Sequence, residues 1–478
     1  MEDTKSKGQL LFEKLNYTYK DAWEKTDDGY KSKAFEFCGH YKDFLNRAKT
    51  EREYIYELEE LARAKGFLPL DEVIASGKKI LPGMKVFQIN RSKSAILSVI
   101  GTRPVREGVN IIGAHIDSPR IDLKQNPLYE DTGMVLLKTH YYGGIKKYQW
   151  LTIPLSIHGV IVKTNGDVVR ISLGESEDDM VFTITDLLPH LAHDQMQKKA
   201  GEFVSGESLN VLFGSIPYQD EKVKDKVKLN ILNILNEKYN ITEEDFTSAE
   251  LEIVPAFKAR DVGIDRSMVG AYGQDDRVCA YTALRAILET DNVERTAVCV
   301  LTDKEEIGSV GNTGAQSSFM ENHLAMLCAY NTENYTDIVL RQCLTASKML
   351  SADVNAAVDP NYENVQDKKN ATFMGKGIVL QKYTGSRGKV GASDANPEFI
   401  GELRKMFNDN NIIWQTGELG KVDLGGGGTV ALYAANLGMD VVDCGISVLS
   451  MHAPYEVTSK IDIYTIYNAY KVFLINAR

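Results

Sequence analysis

Apolar and polar positions change texture three times along the chain. Between residues 8 and 66, apolar and aromatic side chains recur at helical spacing among charged ones. Thr50-Glu51-Arg52-Glu53 carries the capping-box pattern that opens a helix ending near Gly66. Met84 to Asn90 and Ser94 to Ile100 then read as strands, and Val109 to Ala114 is apolar on both faces, as expected of a central strand leading into His115. After Lys124 the pattern becomes β-rich: Val135 to Lys138, Leu155 to Lys163 and Val168 to Leu173 read as strands, with Asn165-Gly166 as the hairpin signal between the last two. Leu187 to Lys199 and Leu229 to Tyr239 read as helices, on either side of a charged stretch from Gln219 to Lys228. From Glu250 onward strands (Leu251 to Val254, Ala297 to Leu301, Asp440 to Ser447) alternate with helices (Val278 to Thr290, Leu340 to Leu350, Pro397 to Asn408, Ile461 to Leu474). That alternation predicts an α/β sheet with helices on both faces. Because the pattern before residue 125 resumes after residue 250, the organisation read is a discontinuous α/β domain, 1–124 and 251–478, interrupted by a β-rich insertion, 125–250.

Composition narrows the class. The chain has 478 residues, 43% hydrophobic and 25% charged, the balance of a globular protein of more than one core. A net charge of −11 argues against nucleic acid or an acidic membrane surface as a partner. No uninterrupted apolar run approaches the length of a membrane span, and the stretch from Met1 to Lys7 lacks the apolar core of a signal peptide. The six cysteines are scattered without a Cys-x-x-Cys pair, which reads as buried thiols in a reducing cytoplasm.

Candidate chemistry gathers where strands give way to loops. Five stretches place a potential ligand there: Gly113-Ala114-His115-Ile116-Asp117-Ser118-Pro119, Gln274-Asp275-Asp276-Arg277, Asp303-Lys304-Glu305-Glu306-Ile307-Gly308-Ser309, Ser351-Ala352-Asp353 and Met451-His452. In open α/β sheets the carboxyl ends of strands are where ligands bind. Two histidines and three carboxylates suit two zinc-like ions sharing a bridging carboxylate, roughly 3.5–4 Å apart. Two adjacent glutamates leaving a strand can divide the labour, one binding metal and its neighbour taking a proton from water. Each stretch also has a plain structural reading. Lys304-Glu305-Glu306 suits a solvated loop, His115 and His452 suit hydrogen-bonded core positions, Asp275-Asp276 a helix start, and Ser351-Ala352-Asp353 a turn after a helix. His40, His140, His158, His190, His193 and His323 default to surface or packing roles.

The five motifs, in this order, resemble the aspartyl aminopeptidase and vacuolar aminopeptidase I family of dinuclear zinc metallopeptidases, as do Tyr142-Gly143-Gly144 and Pro189-His190-Leu191-Ala192-His193. The resemblance implies a zinc-exopeptidase-like α/β catalytic domain with an inserted β-rich dimerisation domain. It implies an aminopeptidase holding two divalent ions per subunit, zinc, with manganese or cobalt as alternatives. His115, Asp275 and Asp353 would hold one ion; Asp275, Glu306 and His452 the other. Glu305 would be the general base and Asp117 the partner of the far nitrogen of His115. A cis peptide between Asp275 and Asp276 is expected from the same likeness. So is assembly of dimers into a tetrahedral dodecamer, in which His190 reaches a neighbour's site and stabilises the developing oxyanion. The likeness breaks where acid-preferring members carry Gly-x-Val-x-Lys. Here Gly377-Ile378-Val379-Leu380-Gln381-Lys382 puts the lysine one place late, Tyr383 to Gly388 replaces a segment with Gln-Arg-Tyr, and Val422 to Gly427 replaces an Asn-Asp-Thr-Pro-Cys-Gly run. A preference for acidic first residues is therefore not implied for Lys382 or Arg387, and a neutral or broader one is expected. Two other readings use the same residues: a deacylase or amidohydrolase of small acylated amino acids, and a peptide-binding scaffold without turnover.

Overall fold

The computed structural model describes residues 5–332, 334–385 and 387–478; Met1 to Thr4, in the stretch weighed as a leader, and Ser386, in the stretch weighed for specificity, lie outside the described residues. The architecture is α/β. A nine-stranded sheet runs in the order Leu68–Pro69, Lys85–Asn90, Ser94–Val99, Ala297–Thr302, Asn110–His115, Lys348–Ser351, Asp440–Gly445, Ile378–Gln381, Trp414–Thr416. Its four middle strands, from Ala297–Thr302 to Asp440–Gly445, are mutually parallel, so their carboxyl ends open on one edge.

Strict alternation along these strands sends side chains to two cores. Ile112, Ala114, Cys299, Leu301, Leu350 and Cys444 face the core shared with helices Asp28–Arg47, Glu51–Ala64, Gln274–Leu288 and Lys460–Asn476. Ile111, Val298, Val300, Met349 and Val441 face the opposite core, under helices Phe319–Asn331 and Asp337–Thr345. Burial on both faces explains why these strands read as continuous apolar runs. The capping box is present: Thr50 Oγ1 accepts from Glu53 N, and the Glu53 carboxylate accepts from Thr50 N.

A six-stranded antiparallel sheet, ordered Val168–Leu173, Leu155–Val162, Ala249–Pro255, Arg120–Asp131, Met134–Tyr142, Val211–Gly214, packs on its own core. Leu251 to Val254 lies in this sheet, between Leu155–Val162 and Arg120–Asp131. Asn165-Gly166 sits in a three-residue hairpin loop, closed by Gly166 N donating to Lys163 O and Lys163 N to Asp167 O, with Gly166 at φ 90°.

Two helices predicted from sequence come out differently. Over Leu187 to Lys199 only His193–Met196 is helical, and Leu187, Leu188 and Leu191 are exposed, so the apolar spacing there has no core to face. Over Leu340 to Leu350 the helix Asp337–Thr345 ends early and Lys348–Ser351 is a central strand. A short apolar run such as Met349-Leu350 suits either element, and pairing on both sides decides it. The sequence reading also missed a five-stranded sheet of short strands, Arg260–Val262, Met268–Ala271, Glu456–Ser459, Ser447–Leu449 and Asn355–Ala356.

An ion cluster around buried His158 joins the six-stranded sheet to helix Glu51–Ala64. His158 on the six-stranded sheet lies 2.6 Å from Glu53 Oε1 through Nδ1 and 3.0 Å from Glu175 Oε1 through Nε2. Lys49 and Lys258 also reach Glu175, each at 2.7 Å. Burial opposes a charged imidazole here, but the hydrogen bonds its ring N–H groups donate to Glu175 and Glu53 outweigh it and lift the pKa of His158 to about 9. A raised folded pKa stabilises fully below the unfolded value, about 6.5, and that contribution is lost as pH climbs through about 9. His158→Gln is therefore expected to lower stability near neutral pH by about 1–3 kcal/mol and to flatten its decline between pH 7 and 9.5, measured by urea unfolding. An unchanged decline in the variant contradicts this account of the cluster.

Candidate metal centre

The residues expected to carry chemistry arrive from two sheets. His115 ends a middle strand of the nine-stranded sheet, Glu305 and Glu306 follow the neighbouring strand Ala297–Thr302, and Asp353 follows Lys348–Ser351 on the other side. The small sheet delivers the rest. Asp275 lies just beyond Met268–Ala271, and His452 lies in the loop between Ser447–Leu449 and Glu456–Ser459. Asp275 and Asp276 open helix Gln274–Leu288 with non-helical backbone, and their shared peptide bond is cis, as the likeness implies.

Asp275 stands between the histidines. Its Oδ1 is 3.3 Å from His115 Nε2, and its Oδ2 is 3.2 Å from His452 Nε2. Asp353 Oδ1 is 3.9 Å from His115 Nε2, and Glu306 Oε2 is 3.5 Å from His452 Nε2. Two groups with mutually close ligand atoms result: Asp275, Glu306 and His452, and His115, Asp276 and Asp353; Glu305 joins His115 and Glu306 in a third. Asp276, absent from the sequence-based set, is thus inside the cluster, buried, with neither carboxylate oxygen hydrogen-bonded.

Both histidines are held so that Nε2 faces the cluster. The Nδ1–H of His115 donates to the carbonyl of Asp117 at 3.0 Å, with Asp117 Oδ1 at 3.2 Å. The Nδ1–H of His452 donates to Gly144 O at 2.9 Å. Asp117, fully buried, also accepts from Glu305 N through Oδ1 and from Glu306 N through Oδ2, both at 3.1 Å, so it fixes the loop bearing the glutamates as well as one histidine. Glu456 was missed too. Its buried carboxylate accepts from Asp275 N at 3.0 Å and His452 N at 2.7 Å, tying ligand loops from two strands together. The available signal was an acid in the otherwise apolar and hydroxyl strand pattern Tyr455-Glu456-Val457-Thr458.

The electrostatics call for cations. Burial drives the carboxyls of Glu306 and Asp353 well above the usual range, reinforced for Glu306 by Asp275 and for Asp353 by Asp276. For Asp275, burial also pushes upward, but hydrogen bonds to His115 and His452 hold it below its ordinary value. Burial and Asp275 raise Glu456 to about 8. Glu306 Oε1 is buried without a hydrogen-bond partner. Paired imidazoles, a carboxylate facing both and unpartnered carboxylate oxygens are a donor set that divalent ions of the zinc type satisfy.

The cluster opens on a cleft of about 440 Å³ whose walls include Ser309, Asn355, Gln381, Thr384, Tyr433 and Met451, with Gly426, Gly427 and Gly428 on one side. The glycine run thus lines the site. Lys382 and Arg387 do not; Lys382 pairs with Asp394 at 2.5 Å. His190 is exposed on the segment around Leu187 to Leu191 and is not among the cleft-lining residues of its own chain.

The family described as aminopeptidase I zinc metalloprotease (M18) matches residues 44–474. A Clostridium acetobutylicum protein named "Probable M18 family aminopeptidase 1" is 54% identical over 461 residues, 96% of this chain and 98% of that one. The crystal structure of an M18-family aminopeptidase from Thermotoga maritima superposes with a TM-score of 0.92 at 45% identity, covering 96% of this chain and 100% of that one. The fold extends, at 21% identity and a TM-score of 0.72, to the mApe1 dodecamer of S. cerevisiae, covering 93% of this chain and 98% of that one.

Proposed function

The chain belongs to the M18 family of aminopeptidase I zinc metalloproteases, and on that premise we propose that it removes amino-terminal residues from peptides at the cluster of His115, Asp275, Glu306, Asp353 and His452, with Glu305 as general base. The observation that carries the reading is Asp275, one carboxylate with its two oxygens turned to two different histidines. Two ions would be held there, one by His115, Asp275 and Asp353 with Asp276 beside them, the other by Asp275, Glu306 and His452. Zinc ions bound there supply Lewis acidity towards a carbonyl and acidify water.

The chain's own groups do the rest. Glu305 lies close to His115 and Glu306 but outside both the His115–Asp276–Asp353 and the Asp275–Glu306–His452 sets, free to accept the proton of the attacking water and return it to the departing amine. Burial lifts its carboxyl above the ordinary range, with His115 pulling it back, which brings its proton affinity closer to that task. Asp117 keeps Glu305, Glu306 and His115 in register through three contacts. Among the described residues lining the cleft, the only basic side chain is His452, inside the cluster, so a neutral first side chain is accommodated better than an acidic one facing Glu305 and Asp353.

The β-rich segment, which with its six-stranded sheet runs from Arg120 to Pro255 and so overshoots the expected bounds 125–250 at both ends, serves as the oligomerisation domain of a homo-oligomer, dimers building a dodecamer. Supporting this are the exposed Leu187, Leu188 and Leu191 flanking His190, an apolar patch suited to a second copy, and the dodecamer formed by the yeast protein of the same fold. His190 of a neighbouring copy then stabilises the oxyanion. Cytoplasmic residence is supported by six free, buried cysteines; among the described residues no helix is long and apolar enough to cross a membrane.

A panel of aminoacyl anilides with free and acetylated amines, assayed with and without chelator, tests the reading. Hydrolysis of the free-amine series that stops on chelation, with neutral first residues ahead of aspartyl, is expected; release of acetate from the acetylated series, with the anilide bond left intact, makes the protein a deacylase instead. On the same panel His190→Phe should lower kcat about 10²–10³-fold with metal content retained. Unchanged kcat removes His190 from the mechanism.

A further inference from the structure

Asp117 is the hub through which His115, Glu305 and Glu306 are aligned, yet two backbone amides and one imidazole do not exhaust its acceptors. The remaining donor comes from outside the nine-stranded sheet. Tyr142, the last residue of strand Met134–Tyr142 in the six-stranded sheet, donates its hydroxyl to Asp117 Oδ2 at 2.9 Å. The ring is itself held. The guanidinium of Arg120 lies 3.9 Å from the centroid of Tyr142, a close cation–π contact. Arg120 is buried and tied to Glu51 at 3.0 Å, Asp122 at 2.7 Å and Glu252 at 3.4 Å, groups drawn from helix Glu51–Ala64 and from the six-stranded sheet. Two residues further on, the carbonyl of Gly144 receives the His452 ring N–H. A Cβ on Gly144 would sit 3.2 Å from that nitrogen, and one on Gly143 would sit 3.3 Å from Glu306 Cβ, so this strand end is closely seated on the cluster.

We propose that Tyr142 is a positioning residue of the metal centre: its hydroxyl, braced by Arg120, orients the Asp117 carboxylate that in turn aligns His115 and the Glu305-Glu306 backbone. The six-stranded sheet is by this contact a part of the catalytic apparatus as well as a candidate surface for assembly. Tyr142 touches neither substrate nor reacting atoms; it works through Asp117. The inference rests on the assignment of the cluster as a metal centre.

Tyr142→Phe keeps the ring, its packing and the Arg120 contact, and removes only the donor. In the full-length protein, zinc affinity is read by competition with a chromophoric chelator, kcat and KM with a free-amine aminoacyl anilide, and folding by thermal denaturation after metal removal. Tyr142→Phe is expected to weaken zinc about 10–100-fold and to lower kcat by a similar factor, with KM little changed and the metal-free melting temperature close to wild type. In an Asp117→Asn background, where the carboxylate to be oriented is gone, the added Tyr142→Phe change should move zinc affinity less than twofold. Wild-type zinc affinity and kcat in Tyr142→Phe overturn the inference, and so does a full additional loss in the Asp117→Asn background. Zinc binding by a wild-type protein without peptidase activity defeats the functional assignment instead, and leaves the affinity measurements to decide the role of Tyr142.

Discussion

Glu305→Gln is expected to lower kcat by about 10³-fold while the purified protein keeps its full complement of metal. The amide matches the carboxylate in size, so the neighbours of Glu305 stay in place. The backbone N–H of residue 305 still donates to Asp117 Oδ1. What is lost is the ability to accept a proton. His115, Asp275, Glu306, Asp353 and His452 are untouched, and the hydrogen bonds that turn both imidazoles towards the cluster lie elsewhere, at Asp117 and Gly144. KM for a free-amine substrate should change far less than kcat, because the loss falls on the transition state. A variant that retains wild-type kcat removes Glu305 as the base.

Glu306→Ala should behave in the opposite way. Glu306 Oε2 lies 3.5 Å from His452 Nε2 in the group with Asp275, and its Oε1 is buried without a partner. The substitution is expected to weaken zinc by more than about 100-fold, the upper end of what losing a group that merely supports a ligand costs. The metal-free protein provides a second sign to check. There, Glu306 is a buried carboxyl raised by burial and by Asp275, an arrangement that opposes folding. Removing it should leave the metal-free protein as stable as wild type or more so, while added zinc raises the melting temperature of wild type and hardly moves that of the variant. A variant destabilised without metal and still shifted by zinc assigns Glu306 a packing role.

The strand that delivers these neighbours was open to sequence reading because Ala297 to Leu301 is uniformly apolar, whereas which glutamate holds metal and which moves the proton was implied by the family resemblance alone. The run into His115 was legible in the same way as the strand. Lys348–Ser351 was harder, since four residues following a helix carry no period of their own, and only pairing between Asn110–His115 and Asp440–Gly445 makes them a strand. The small sheet that presents Asp275 and His452 has strands of two to four residues, shorter than any pattern window, so the acid at Glu456 was the one sequence signal there and the amides it holds emerge only on folding. Asp276 shows a different limit. Next to Asp275 it reads as a second acid of a helix start, and only the local backbone turns both side chains into the cluster. Tyr142 was visible as part of a motif, but its contact with Asp117 bridges two sheets and has no signature along the chain.

The central claim is that adjacent residues divide the work, Glu306 holding metal and Glu305 moving the proton. Metal analysis of Glu305→Ala and Glu306→Ala, purified side by side and dialysed against the same zinc buffer, tests it most directly. The account predicts wild-type zinc content in Glu305→Ala, which is nonetheless inactive, and depleted zinc in Glu306→Ala. Equal depletion in both variants, or full occupancy in both, contradicts it.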